Sequence, residues 1–190
     1  MNAASALITG NEPLPMLAEQ AVREALARTG SQHANSVLLF LSGEFTRHAH
    51  SAVLAAARAA QCTQVFGGIA AGLCTETGWV LDRPAVAAMV LSGPYSLAFR
   101  EAHRPLPVLC CTSSPFPSEW AESRRFGTHF HGAAGHSAVW QQGRPVEHGC
   151  AEAQIAGADI DIALSTGLRS IGSAPTVEAV RGYDVPTISG

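Results

Sequence analysis

Apolar positions along this chain fall into runs of two kinds. Between residues 13 and 29 they recur at Leu17, Ala21 and Ala25 and at Ala18, Val22 and Leu26, the spacing of one helix face, with Gly30 placed to cap the C-terminus. The pattern predicts an amphipathic helix over 13–29. Residues 36–42, SVLLFLS, are apolar without alternation, as expected of a strand covered on both faces. Residues 45–60 read as a second helix, rich in alanine and so able to lie close against a sheet, and 63–67 as a short strand. Strand, helix and strand at this spacing predict a βαβ unit with parallel strands and a right-handed crossover. Beyond a glycine-rich loop at 67–72, two more strands are expected at 77–81 and 84–91, joined by a tight Asp82-Arg83 turn.

The second half runs through the same order. VLLFLSGEF (37–45) aligns with VLCCTSSPF (108–116), and FGGIAAG (66–72) with FHGAAG (130–135). GWVLDRPAVAAMVLSG (78–93) aligns with AVWQQGRPVEHGCAEAQIAG (138–157), while the connecting helix shortens to PSEWAESRRF. Agreement in order predicts an internal duplication, with pseudo-repeats over about 34–93 and 105–157. A closing segment, 158–190, offers an alternating strand at 159–164 and a last strand near 176–180. The expected fold class is α/β: internally duplicated strand-helix-strand-hairpin units forming mixed β-sheets flanked by helices, in a single domain spanning 1–190.

Composition narrows the functional classes. The residues are 47% hydrophobic and 14% charged, which describes a globular protein with a real core. Twelve basic residues, all arginine, against 15 acidic ones leave a net charge of -3 and no electrostatic footprint for nucleic acid. No apolar run approaches the length of a membrane span, and MNAASALITG lacks the positive charge that opens a secretory signal. A cytoplasmic location is therefore expected. The five cysteines (Cys62, Cys74, Cys110, Cys111, Cys150) are odd in number without CxxC spacing, and read as reduced thiols, mostly buried.

Gly67 to Gly72 have the spacing of a phosphate loop, but Leu73-Cys74 stand where Lys-Ser/Thr belong and no helix follows. A nucleotide is not expected. There is no GxSxG or HExxH, and no acid-base pair or nucleophile stands out, so an enzyme is the less favoured reading. His48 and His50, two apart on a predicted helix, point to nearly opposite sides. His129 and His131 share a face if 128–131 is a strand, and His136 lies across the second Ala-Ala-Gly turn. Imidazoles so placed could bind zinc, or one of them could ligate haem iron; the alternative is a glycine-rich segment carrying exposed polar residues. Arg169, beside Gly167 in STGLRSIG, is suited either to fork onto a ligand carboxylate or to pair with Asp159 or Glu178 at the surface.

The Ala-Ala-Gly turns at 70–72 and 133–135 are expected near a pseudo-twofold axis. Gly67, Gly68, Ala71, Gly72, Gly132 and Gly135 would there allow close approach of a small carboxylate-bearing molecule, such as an amino acid or organic acid. Thr75, Glu76, Gly167 and Arg169 would complete that site. The alternative is that these small residues simply let two sheets pack tightly.

VFGGIAAGLCTETGWVLDRPAVAAMVLSG (65–93) resembles the central signature of the FIST N-terminal domain family: an apolar strand, a Gly-small-small-Ala-Gly loop, a polar segment and a Pro-Ala-Val strand. SVLLFLSGEFTRHAHSAVLAAA is similar to its preceding strand and helix, SALITGNEPLPMLAEQAVREAL to its opening, and STGLRSIGSAPTVEAVRGYDV to its closing segment. Gly68 and Ile69 occupy the stretch where that family favours Cys or Ser, while Leu168 stands for its Cys and Ser170 for its Pro. The resemblance implies a cytoplasmic sensory or regulatory module of bacterial signal transduction that binds small ligands, with haem in some members. Without the C-terminal domain that usually follows, a stand-alone accessory role through a protein partner is expected, and a homo-oligomer is compatible with it.

Overall fold

The computed structural model describes residues 1–98, 107–122, 124–130, 138–164, 176–181 and 184–189. It is a mixed α/β fold with, among the described residues, two α-helices and several sheets. In chain order the first half runs β1 (Ala3–Thr9), α1 (Met16–Thr29), β2 (Ser36–Ser42), a 3-10 turn (Gly43–Arg47), α2 (Ala49–Ala60), β3 (Val65–Ala70), β4 (Gly72–Thr75), β5 (Gly78–Leu81) and β6 (Ala85–Leu91). The second half runs β7 (Ser96–Ala98), β8 (Val108–Thr112), a 3-10 turn (Ser118–Glu122), β9 (Arg125–His129), β10 (Val139–Gln141), β11 (Arg144–Pro145) and β12 (Cys150–Ala156). A hairpin of β13 (Thr176–Arg181) and β14 (Asp184–Ser189) follows.

One sheet has the order β1-β6-β2-β3-β10-β11, and a second has β7-β12-β8-β9. In the first, β2 and β3 are parallel and every other neighbour pair is antiparallel. In the second, β8 and β9 are parallel and the other pairs antiparallel.

The helices form because their apolar residues recur at three and four. α1 buries Leu17, Ala18, Ala21, Val22, Ala25 and Leu26, and Gly30, left-handed at φ 74°, returns its N–H to Leu26 and Ala27. Burying each of the larger of these side chains contributes roughly 1.5–3 kcal/mol. α2 buries Ala52, Val53, Ala56 and Ala60, whose small size brings the helix against the sheet. Both helices cover one face of the first sheet, over Val37, Leu39, Leu41, Val86 and Val90. On its other face, Leu38, Phe40, Phe66 and Leu91 pack against Leu97, Leu109, Cys111 and Ala153 of the second sheet. The hairpin β4–β5 covers the rest of that face through Leu73 and Val80, over Leu7, Ala85 and Ala87. β2 thus lies between two apolar layers, which is why its sequence does not alternate.

Several expectations are corrected. The glycine-rich stretch read as a loop is strand through Ala70, paired in register from Val37↔Val65 to Ser42↔Ala70. The Asp82-Arg83 turn does not join paired strands: β5 returns onto β4, while β6 enters the first sheet between β1 and β2. β1 and β4 are additional strands, and residues 159–164 form none. The second helix begins at Ala49, after a 3-10 turn. Among the described residues no helix is long and apolar enough to cross a membrane.

Candidate functional site

The two parallel pairs differ in what spans them. Between β2 and β3 the chain forms a 3-10 turn and the twelve-residue α2. Between β8 and β9 it forms only the turn Ser118–Glu122. Among the described residues no helix lies over the second pair, and a cavity of about 560 Å³ opens there, walled by Phe116, Pro117 and Trp120 and floored by Cys110 and Gly127, with His129 at one end. That volume is in the range of small-molecule sites.

Gly127 sets the floor. Its φ is 145°, and a Cβ there would lie 1.8 Å from the Cys110 carbonyl oxygen, so only glycine fits. Across the cavity, the Phe116 ring sits 6.0 Å from Trp120 and 5.3 Å from the His129 ring. Trp120 is held by Arg125: the Nε–H donates to the Trp120 carbonyl at 3.1 Å, and the guanidinium lies 4.9 Å from the indole centroid. The Arg125 side chain is only 8% exposed, with Nη1 2.8 Å from Glu152 Oε1 on β12. The charges attract at that distance, but neither atom is aligned for a hydrogen bond, and Nη2 has no hydrogen-bond partner among the described residues. The buried pair ties the turn to the sheet.

The environment of the cavity thiol works against thiolate formation. Burial pushes the Cys110 thiol up, against the pull of Arg125, and Glu152 and Cys150 add to the rise. Cys111 faces the inter-sheet core, where burial, reinforced by Cys110, pushes it up to about 12. Cys74, on β4, is exposed. A thiol reagent at mildly alkaline pH is expected to modify Cys74 first, with Cys110 and Cys111 reacting on unfolding; peptide mapping checks the order.

Of the residues singled out from sequence, His129 reaches the cavity. Gly67 lies under β2, where a Cβ would be 1.9 Å from the Leu39 carbonyl oxygen. Gly68 makes room for the Phe130 ring, 2.4 Å from a would-be Cβ, and so serves packing between the sheets. Gly72 opens β4 against Leu81, and Ala71 is exposed beside it. Thr75 ends β4 and Glu76 opens the turn to β5, where Thr75 Oγ1 lies 2.9 Å from Thr77 Oγ1. The Glu76 carboxylate accepts from the Ser5 hydroxyl and from Arg28 Nη1. The Ser5 bond, then the residue's own N–H and Arg28, hold it below the usual carboxylate range. None of Gly67, Gly68, Ala71, Gly72, Thr75 and Glu76 lines the cavity. Gly132, Gly135, Gly167, Arg169, His131 and His136 lie outside the described residues. Among the described residues no group of three or more His, Cys, Asp or Glu side chains is placed to hold a metal ion.

Sequence reasoning missed Phe116, Trp120, Arg125 and Gly127. The available signal was the short connection PSEWAESRRF, which among the described residues leaves one face of a strand pair without a helix. Comparison with protein-family models, with characterised proteins and with solved structures found no match to this chain.

Proposed function

We propose that this chain is an internally duplicated, cytoplasmic ligand-binding module of regulatory function, similar to the FIST N-terminal type, with its ligand seated in the cavity over Gly127. The observation that carries the reading is this cavity, lying where α2 covers the corresponding face of the first half. Strand order supports the duplication: β1-β6-β2-β3 and β7-β12-β8-β9 share both sequence and senses of pairing. So does the register, in which Gly67 stands opposite Leu39 and Gly127 opposite Cys110, each with a φ near 150°. That alignment matches FGG with FGT (126–128), four residues before the segment expected from sequence. A binding role is favoured over a catalytic one because burial pushes the cavity thiol up and the Glu152 carboxylate is paired with Arg125.

Thermal unfolding with a panel of amino acids, organic acids and short apolar peptides tests the reading. A ligand at a hundred times its Kd adds about 2.7 kcal/mol, a rise of roughly 5–10 °C for a chain this size. Ser118, exposed at the cavity rim, is replaced by Trp to fill it. The shift should vanish in Ser118→Trp while the basal melting temperature holds. A panel without effect, or a shift that the filled variant keeps, would refute the proposal.

A further inference from the structure

We propose that the occupant is an extended strand of a partner protein, which adds to the open edge of β9 and seats an aromatic side chain over Gly127. This rests on the reading of the cavity as a binding site and names what enters it.

The edge itself is the first ground. β9 has β8 on one side and, among the described residues, no strand on the other. Val108 N donates to Arg124 O at 3.0 Å, and Phe130 N to Thr112 O at 2.7 Å. Residues of a parallel strand alternate in the direction of their hydrogen bonds, so the N–H and C=O of Arg125 and Gly127 face away from β8. Gly127 is also exposed. An edge of this kind is a template for pairing unless something covers it.

The corresponding edge in the same molecule is covered, and this is the second ground. On β3, the outward groups are taken by the β10–β11 hairpin: Ile69 N donates to Ala138 O and Val65 O accepts from Gly143 N, both at 2.9 Å. β10 runs antiparallel with Trp140 opposite Gly67. The Trp140 side chain, 2% exposed, fills the helix-side core beside Leu39. Gly127 opposite Cys110 repeats Gly67 opposite Leu39, yet its equivalent space is the cavity, with Phe116 61% exposed at its wall. An extended segment with an aromatic residue supplies both missing parts at once: backbone bonds along the edge and a side chain for the hole. A small molecule supplies only the second. Main-chain pairing for affinity with a side-chain socket for selectivity is the recognised logic of strand addition.

The test uses the intact chain and a ten-residue peptide that copies residues 138–147, AVWQQGRPVE. Hydrogen exchange should show peptide-dependent protection of the β9 amides, with β3 unchanged. A peptide with Ala in place of Trp should bind at least tenfold more weakly, and Ser118→Trp in the protein should abolish binding. Absence of β9 protection, or binding indifferent to the indole, overturns the inference. Organic acids that raise the melting temperature while the peptide is inert overturn it and leave the binding-module reading standing; silence from both removes both. Protection of β9 that grows with protein concentration, without peptide, assigns the edge to a second copy and overturns the choice of a foreign strand.

Discussion

Gly67→Ala and Gly127→Ala are each expected to lose roughly 4 kcal/mol of stability, enough to leave much of the chain unfolded. Two costs combine. An alanine at either position adopts a φ that L residues rarely tolerate, 151° or 145°, which costs about 1–3 kcal/mol. Its methyl also falls within 2 Å of a carbonyl oxygen, 1.9 Å at Leu39 and 1.8 Å at Cys110. Over-packing of this sort costs about 1–3 kcal/mol and occasionally more, and here the obstructing atom is backbone in a paired strand and cannot rotate away. Since native domains hold about 5–15 kcal/mol in all, either change is a large fraction of the total. Two glycines calibrate the result. Gly43 has open space around it and an ordinary φ, so Gly43→Ala should stay within about 0.5 kcal/mol of the parent. Gly78 has open space but φ 157°, so Gly78→Ala isolates the backbone term alone. Urea unfolding of the four variants should rank Gly43 below Gly78 and Gly78 below the other two. A Gly67→Ala protein as stable as Gly78→Ala would mean that β2 and β3 do not approach as described.

Trp140→Ala should cost about 3–5 kcal/mol, the range for removing a large aromatic from a core. The indole is among the largest fully buried side chains and anchors β10 on the edge of β3. Its Nε1–H, however, is buried without a hydrogen-bond partner among the described residues. An unmet buried donor costs about 1–3 kcal/mol, so Trp140→Phe removes a penalty as well as some packing. The two effects oppose, and Trp140→Phe is expected to cost about 1 kcal/mol or less, well apart from the alanine variant. Denaturant curves for the pair decide the matter; equal losses would show that the indole N–H is satisfied in solution.

Much of the first half is legible in the order of its residues. α1 announces itself through the Leu17–Val22–Leu26 stripe and Gly30, and β2 through an unbroken apolar run. Both signals are local: a helix repeats every 3.6 residues, and a strand buried on both faces has no polar face to show. The β3 glycines mislead, because glycine in isolation signals a turn. Gly67 is instead required by the distance to Leu39 O, a neighbour 28 positions earlier in the chain. β1 escapes notice because AASALIT, short and rich in small residues, carries little periodic signal. The cavity is half legible: the brevity of PSEWAESRRF can be read, but not what its shortness uncovers.

Sequence alone determined the character of the elements that have a periodic face, and the absence of a phosphate-loop lysine after the Gly67–Gly72 stretch, since both are properties of neighbours along the chain. Only the tertiary structure decided that β6 and β10 join the first sheet, that β9 keeps an open edge among the described residues, and that Gly127 lies beneath an aromatic-walled cavity. Those outcomes depend on which distant strands share hydrogen bonds, and a backbone group carries no mark in the sequence of the partner it will take.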